Sequence, residues 1–221
     1  MSQPASGPNP FTPGTDNFAI WERQEAQEHG SLHRGQLRIA EQFLELHDTT
    51  LRYAHGLGWF QWIGTRWAGD TTGHARRCVV DTLKHLLRSM PDLPNREERK
   101  KLDDDIRKCE SATGTDGVLK LASCMRPFAI EPRLLDADPW LFNVENGTFD
   151  LRTGMMRAHN PADHITKIAG CGFDLSSPGV RFQQFIEEIL PDEDVRLYVQ
   201  RLLGSAMQGG IRDHILPIFT G

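Results

Sequence analysis

The chain has 221 residues, 38% hydrophobic and 25% charged, the balance of a soluble globular protein of one to two domains. Its 25 Lys and Arg against 30 Asp and Glu give a net charge of −5, which excludes an all-over basic coat protein but leaves room for a local basic face. No run approaches the ~18 apolar residues of a membrane helix. The opening Met-Ser-Gln-Pro-Ala-Ser-Gly-Pro has neither the basic region nor the apolar core of an export signal, so the expected location is cytoplasmic.

Residues 1–30 hold Pro4, Pro8, Pro10 and Pro13 and carry Arg23 against Asp16, Glu22, Glu25 and Glu28. They read as a disordered leader with some helix near Trp21. From Arg34 to His47, Leu37, Ala40, Phe43, Leu44 and Leu46 mark a helical face. Leu51–Ala54, Trp59–Ile63 and Thr65–Trp67, broken at Gly56, Gly58, Gly64 and Gly69, predict a small antiparallel meander. After Asp70-Thr-Thr-Gly comes a helix with Ala75, Val79, Leu83, Leu86, Leu87 and Met90 on its apolar side, ended by Pro91 and Pro94. A charged helix over 96–109 and a third over 116–125 follow, closed by Pro127 and Pro132.

Strand chemistry returns at 139–160. Trp140–Val144, Asn146-Gly147 and Thr148–Leu151 predict a hairpin, with Asn-Gly as its turn because both residues tolerate positive φ. Arg152-Thr-Gly154 makes a second turn, and Ile165–Phe173 is extended. Phe182, Phe185, Ile186 and Ile189 form one helical face that Pro191 stops. Asp192 is the expected N-cap of a last helix faced by Val195, Val199, Leu202, Leu203 and Ala206. Gly209-Gly210 breaks it, and His214–Gly221 reads as a buried strand.

The basic segment is 76–108, with ten Lys and Arg against seven Asp and Glu, or +3. One reading is a phosphate-contacting face of Arg76, Arg77, Lys84 and Arg88 on one helix and Arg99, Lys100 and Lys101 on the next. The other is a solvated surface laced with i,i+4 pairs such as Glu97–Lys101 and Asp103–Arg107. Trp59, Phe60, Trp62 and Trp67 suit either base stacking or a small sheet's core. Asp103–Asp105 and Asp192–Asp194 read as helix starts or solubilising surface.

A two-metal site needs carboxylates converging from strands, for which Asp150, Asp163 and Asp174 are the candidates. No metal ligand set is expected. The four cysteines (78, 109, 124 and 171) form no Cys-x-x-Cys pair and read as buried thiols of a reducing compartment. Ile218-Phe-Thr-Gly221 matches the start of a phosphate-binding loop but lacks its Lys, its Ser/Thr and its helix.

Over 34–221 the order of these pieces resembles the accessory domain that precedes the motor of superfamily 3 helicases in phage and plasmid primase–helicases, relatives of the poxvirus primase–helicase. The most specific stretch is Asp138-Pro-Trp-Leu-Phe-Asn-Val-Glu-Asn-Gly-Thr-Phe-Asp-Leu-Arg-Thr-Gly154. Asn143, Asn146, Gly147, Asp150, Leu151 and Gly154 match the family's hairpin signature. His159–Asp163, Ile165–Lys167, Phe182–Ile189 and Tyr198–Gly204 follow in the expected order, and Gly64–Trp67 with Asp70 matches an earlier motif. Ser205-Ala206 stands where many relatives have an aromatic.

The resemblance implies an α+β fold: helices packed with two small antiparallel β units, and a C-terminal helical segment leading to the first strand of a truncated ATPase. It implies an accessory domain over 31–210 and the motor's first strand over 211–221; composition reads 1–30 as the leader, and size allows the accessory part to be one compact domain or two lobes parting near 127–132. Gly221 would be the first glycine of an incomplete nucleotide site. No cofactor is expected in this chain and no catalytic residue; ATP and Mg²⁺ belong to the parent helicase. Expected partners are single-stranded or forked DNA, copies of the parent in a hexamer, and a primase or initiator, with no membrane. The competing reading is a protein-interaction module without direct DNA contact. A third, an independent metal-dependent nuclease, needs converging acids.

Overall fold

A computed structural model describes residues 33–210 together with 217 and 218. The expected leader, and the expected motor strand apart from Pro217 and Ile218, lie outside the described residues. The fold is α+β, and the chain divides into two units that interleave in sequence. Among the described residues, 33–48 and Gly73–Phe128 form one; Thr49–Thr72 and 129–210 form the other.

The first unit is helical: α1 (Gln36–His47), α2 (His74–Ser89), α3 (Arg96–Cys109) and α4 (Ala112–Ala122). Each helix turns one apolar stripe inward. Ile39, Ala40 and Phe43 of α1 meet Val79 and Leu83 of α2, Leu102 and Ile106 of α3, and Val118 of α4 in one buried cluster. Phe128 closes it, its ring 5.2 Å from Phe43. Asn95 caps α3 by accepting from the Glu97 amide (2.8 Å), and Ser111 caps α4 through Gly114 (3.0 Å). The last helix therefore starts four residues earlier than the periodicity from Asp116 suggested, because Ser111 supplies the cap.

The second unit holds two sheets. β1 (Leu51–Ala54), β2 (Gly58–Trp62) and β3 (Trp67–Gly69) form the expected meander. A two-residue strand, β4 (Ala129–Ile130), adds parallel to β1, giving the order β3-β2-β1-β4. The second sheet is antiparallel: β5 (Leu141–Val144), β6 (Gly147–Asp150) and β7 (Met155–Arg157). Two helices follow, α5 (Val180–Ile189) and α6 (Glu193–Ala206), the latter capped by Asp192, which accepts from Asp194 and Val195.

The hairpin turn corrects one expectation. Val144 pairs with Gly147, so Glu145 and Asn146 form the two-residue loop and Gly147 already lies in β6. Asn146 does not have positive φ. Its side chain instead donates to Phe173 O and accepts from Phe173 N, both at 2.9 Å, tying the loop to the extended segment. Gly147 is needed for space: a Cβ there would sit 2.5 Å from Arg157 O on β7.

Asn143 is the hub of this unit, only 5% exposed. Its amide nitrogen donates to Thr65 O (3.0 Å) and Lys167 O (2.9 Å). Its Oδ1 accepts from the Thr148 hydroxyl (3.1 Å) and the His159 Nδ1–H (2.9 Å). The two carbonyls fix the amide's orientation, and this in turn fixes the imidazole tautomer. One side chain thus joins the meander turn, β6, the loop after β7 and the extended segment, with both donors and both lone pairs used.

Asn143→Ala leaves two carbonyls, a hydroxyl and an imidazole N–H without partners, and is expected to cost about 3 kcal/mol. Asn143→Asp is expected to be worse, because a carboxylate oxygen would face two carbonyl oxygens. Urea unfolding, with hydrogen exchange on β5–β7, measures both; a loss below about 1 kcal/mol in each would contradict the hub.

Each unit also holds a half-buried imidazole. Burial holds His47 below its ordinary pKa, with help from the neighbouring His74 and against Cys78 and Asp81. His164 is lowered by burial and by Arg52, against Asp163. The folded state thus disfavours the protonated rings. Stability is intact above the unfolded value of about 6.5 and falls as pH drops from there toward the folded value. His47→Gln, and His164→Asn at a φ of 51° that Asn tolerates, should each shrink the loss of urea resistance between about pH 7.5 and 5.5. An unchanged pH slope in both variants would refute this origin.

Candidate nucleic-acid interface

The seven basic candidates all lie on the helical unit, on α2 and α3. Over its described residues that unit carries 14 Lys and Arg against 12 Asp and Glu, or +2; the other carries 9 against 13, or −4. The positive balance is modest, so placement decides what it can do.

On α2, Arg77, Lys84 and Arg88 recur at helical spacing on the side opposite Ala75, Val79, Thr82 and Leu86, and all three are exposed. They form a stripe. Asp81 interrupts it and pairs with Lys84 at 3.0 Å. Arg76 points elsewhere and pairs with Asp116 of α4. Both pairs are exposed, which leaves them weak and exchangeable for phosphate.

The α3 cations do not act as a block. Arg99 is half-buried and donates from Nε to Leu93 O at 2.7 Å, closing the turn before its own helix. That is a structural role for its Nε. Lys100 faces solvent opposite the core, and Lys101 lies on the next side round. Of the two expected i,i+4 pairs, Asp103–Arg107 forms at 2.8 Å. Lys101 instead borders a groove with Arg34 and Lys108.

The tryptophans belong to the other unit. Trp67 is fully buried and donates its indole N–H to Pro161 O at 2.8 Å. Arg52 covers its ring at 4.9 Å and Trp62 packs against it at 5.5 Å. Trp67 is therefore core and cannot stack on a base, because its face and its donor are both used. Trp62 is half-buried on β2 and keeps a partial face.

The hairpin signature has structural duties. Asn143, Asn146 and Gly147 hold the unit together as described. Asp150 Oδ1 accepts from Arg152 N (2.8 Å), and its carbonyl accepts from Gly154 N (2.8 Å) at a φ of 70°. Leu151 N donates to Trp140 O at 2.9 Å.

The three acids weighed as metal ligands are engaged separately: Asp150 in that turn, Asp163 with Arg157 at 2.8 Å, and Asp174 with Ser176. Among the described residues no three His, Cys, Asp or Glu gather for a metal. Asp105 departs from the surface reading of its run, being 5% exposed and 3.9 Å from the Arg38 guanidinium. Cys78 and Cys109 are buried, whereas Cys124 and Cys171 are exposed thiols. Gly221 lies outside the described residues. No helix among the described residues is long and apolar enough to cross a membrane.

Comparison with known proteins places these features in a family. The family described as "D5 N terminal like" matches residues 40–191. "Putative helicase 121R" of Invertebrate iridescent virus 3 is 30% identical over 121 residues, covering 52% of this chain and 13% of that protein. "Putative helicase 184R" of Invertebrate iridescent virus 6 is 25% identical over 233 residues, covering 83% and 24%. "Putative helicase L207/L206" of Acanthamoeba polyphaga mimivirus is 23% identical over 185 residues, covering 74% and 19%. The chain thus spans less than a quarter of the length of these relatives. The match runs from within α1 through α5, taking in most of the helical unit, both sheets and the whole hairpin signature, and on that extent the chain belongs to the D5 N terminal like family.

Proposed function

We propose that this chain is the accessory module of a primase–helicase used in DNA replication, carried by a phage or plasmid, and that it has no catalysis of its own. The observation that carries the reading is the family match over residues 40–191, with relatives named as helicases. The parent would be a ring-forming superfamily 3 helicase in the host cytoplasm, using ATP and Mg²⁺. This module would sit on the ring as a collar, aid assembly of a hexamer and guide single-stranded or forked DNA toward the channel.

The Arg77, Lys84 and Arg88 stripe supports the DNA part. It is a row of exposed cations at one-to-two-turn intervals on a rigid helix, which suits a polyanion's repeating phosphates. A second reading, recruitment of a primase or initiator, is favoured by a different feature. Val180, Phe182, Phe185 and Ile189 of α5 and Val195, Tyr198 and Leu203 of α6 are each between 45% and 55% exposed. So much exposed apolar side chain suits a protein surface better than a DNA strand.

For the DNA part, single-stranded and forked oligonucleotides titrated across a salt series are expected to bind with a negative slope of log K against log salt. Replacing Arg77, Lys84 and Arg88 by Ala should reduce that slope by about 2, at roughly 0.7 per single-strand phosphate contact. Arg99→Ala should leave the slope unchanged while lowering stability. Binding that ignores salt, or a triple variant that behaves as wild type, would sink DNA guidance.

For assembly, sedimentation of the parent with and without residues 1–210 should show weaker ring formation in the shortened form. Equal ring formation together with capture of a primase by the α5–α6 face would transfer the function to recruitment.

A further inference from the structure

Neither α5 nor α6 packs closely against another element of the described residues. Each buries one side chain in its own unit, Ile186 on α5 and Val199 on α6. Each leaves an apolar stripe beside that residue. On α5 it is Phe182, Phe185 and Ile189, all about half exposed. On α6 it is Val195 and Tyr198, also about half exposed, with Leu202 half-buried. The spacing is three and then four in both, so at about 100° per residue each stripe keeps within about 60° of arc.

The two helices share a second feature. The buried residue flanks the stripe on one side, and two exposed charges of opposite sign flank it on the other. These are Arg181 and Glu188 on α5, and Asp194 and Arg201 on α6. In each helix the two charges stand about two turns apart. None of the four makes an ion pair among the described residues.

Two apolar seams call for an apolar partner, and the charges select it. When two helices pack antiparallel with the same flank facing, the early residue of one meets the late residue of the other. A flank that reads plus then minus therefore meets its complement on an antiparallel copy of itself. Arg181 of α5 then faces Glu188 of the second copy, and Asp194 of α6 faces Arg201 of the second copy. The same register sets Phe182 against Phe185, and Val195 against Tyr198, each twice by symmetry. Exchanging the helices fails. Antiparallel α5 on α6 would oppose Arg181 to Arg201 and Glu188 to Asp194, so like charges exclude that pairing.

We propose that α5 and α6 form a twofold interface with a second copy of this chain, each helix antiparallel to its counterpart. The apolar stripes make the seam, and Arg181–Glu188 and Asp194–Arg201 pairs close its open side. An isologous contact couples two copies and does not by itself close a ring. It is thus separate from the collar assembly proposed above and does not rest on that reading.

Sedimentation velocity of the full chain tests this. The mass is expected to rise from 25.0 kDa toward twice that value over about 1 to 100 µM, the weak end of the range for contacts of this size. Phe185→Asp with Tyr198→Asp, both at exposed positions, should hold the chain monomeric, with circular dichroism checking its helices. Arg181→Glu alone, or Glu188→Arg alone, turns two exposed attractions into two repulsions and should weaken the dimer by about tenfold. Arg181→Glu combined with Glu188→Arg restores the complement and should recover wild-type dimerisation. Asp194→Arg and Arg201→Asp should behave in the same way, singly and together.

The recovery is the decisive reading, because a merely structural role for either charge predicts added damage in the double variant. A chain that stays monomeric at 100 µM overturns the proposal. A dimer that survives Phe185→Asp with Tyr198→Asp places the contact on another face and overturns it as well. Single reversals without effect, or double reversals that fail to recover, reject the antiparallel register. Capture of a purified primase by this face in a chain that never dimerises gives the surface to recruitment instead.

Discussion

The β unit depends on one buried amide. Asn143 sits where four chain segments, far apart in sequence, would otherwise end in unpaired polar groups. These sheets are too short to close a core by strand pairing alone; β3 and β7 have three residues each and β4 two. Their residues at the seams need partners that the ladders do not reach. Asn143 supplies them from a single position, and its carbonyl takes a further bond from Ala169 N at 2.9 Å. Asn146 repeats the device one loop away, gripping Phe173 at both backbone atoms while the Phe149 and Phe173 rings pack at a tilt, 4.7 Å apart. The hairpin signature is in this sense an architectural motif. Asn143 has both donors and both side-chain lone pairs engaged within the unit.

The helical unit rests on a different principle. Four amphipathic helices share one apolar cluster, and their polar sides are left to serve other ends. Charge on α3 is ordered along the axis, with Glu97 and Glu98 in the first turn and Arg107 and Lys108 in the last, matching the helix dipole. α1 and α2 instead start on glycines, Gly35 and Gly73, without a side-chain cap.

Legibility in the sequence followed the range of the interaction. The α2 and α3 helices, the meander and the β5–β6 hairpin rest on period and on neighbours within a few residues, so they were readable. Ser111 was missed as a cap because the apolar run near Val118 drew the boundary inward. The turn at Glu145–Asn146 was misplaced because Asn-Gly usually marks a turn through φ, whereas here Gly147 answers a steric demand from Arg157, ten residues on. Trp67 illustrates the limit for sites. Residue type suited both core and stacking, and only the contact with Pro161, 94 residues away, decides for core. The roles of Arg99 and Asp105 likewise follow from partners that no local pattern announces.

Weak charge has a consequence for how such a module acts. A unit at +2, with a stripe of three cations, offers few phosphate contacts per copy, so single-strand binding of that kind gains little from counterion release and is weak. One copy would hold DNA loosely at physiological ionic strength. Several copies arranged around one strand change the arithmetic, since each contact after the first is intramolecular and its effective concentration is high. Loose contacts in a ring also let a strand slide, which a tight site would prevent. In the proposed collar, assembly and DNA guidance are thus one property: the stripe is useful because it is weak in each copy and repeated around the channel.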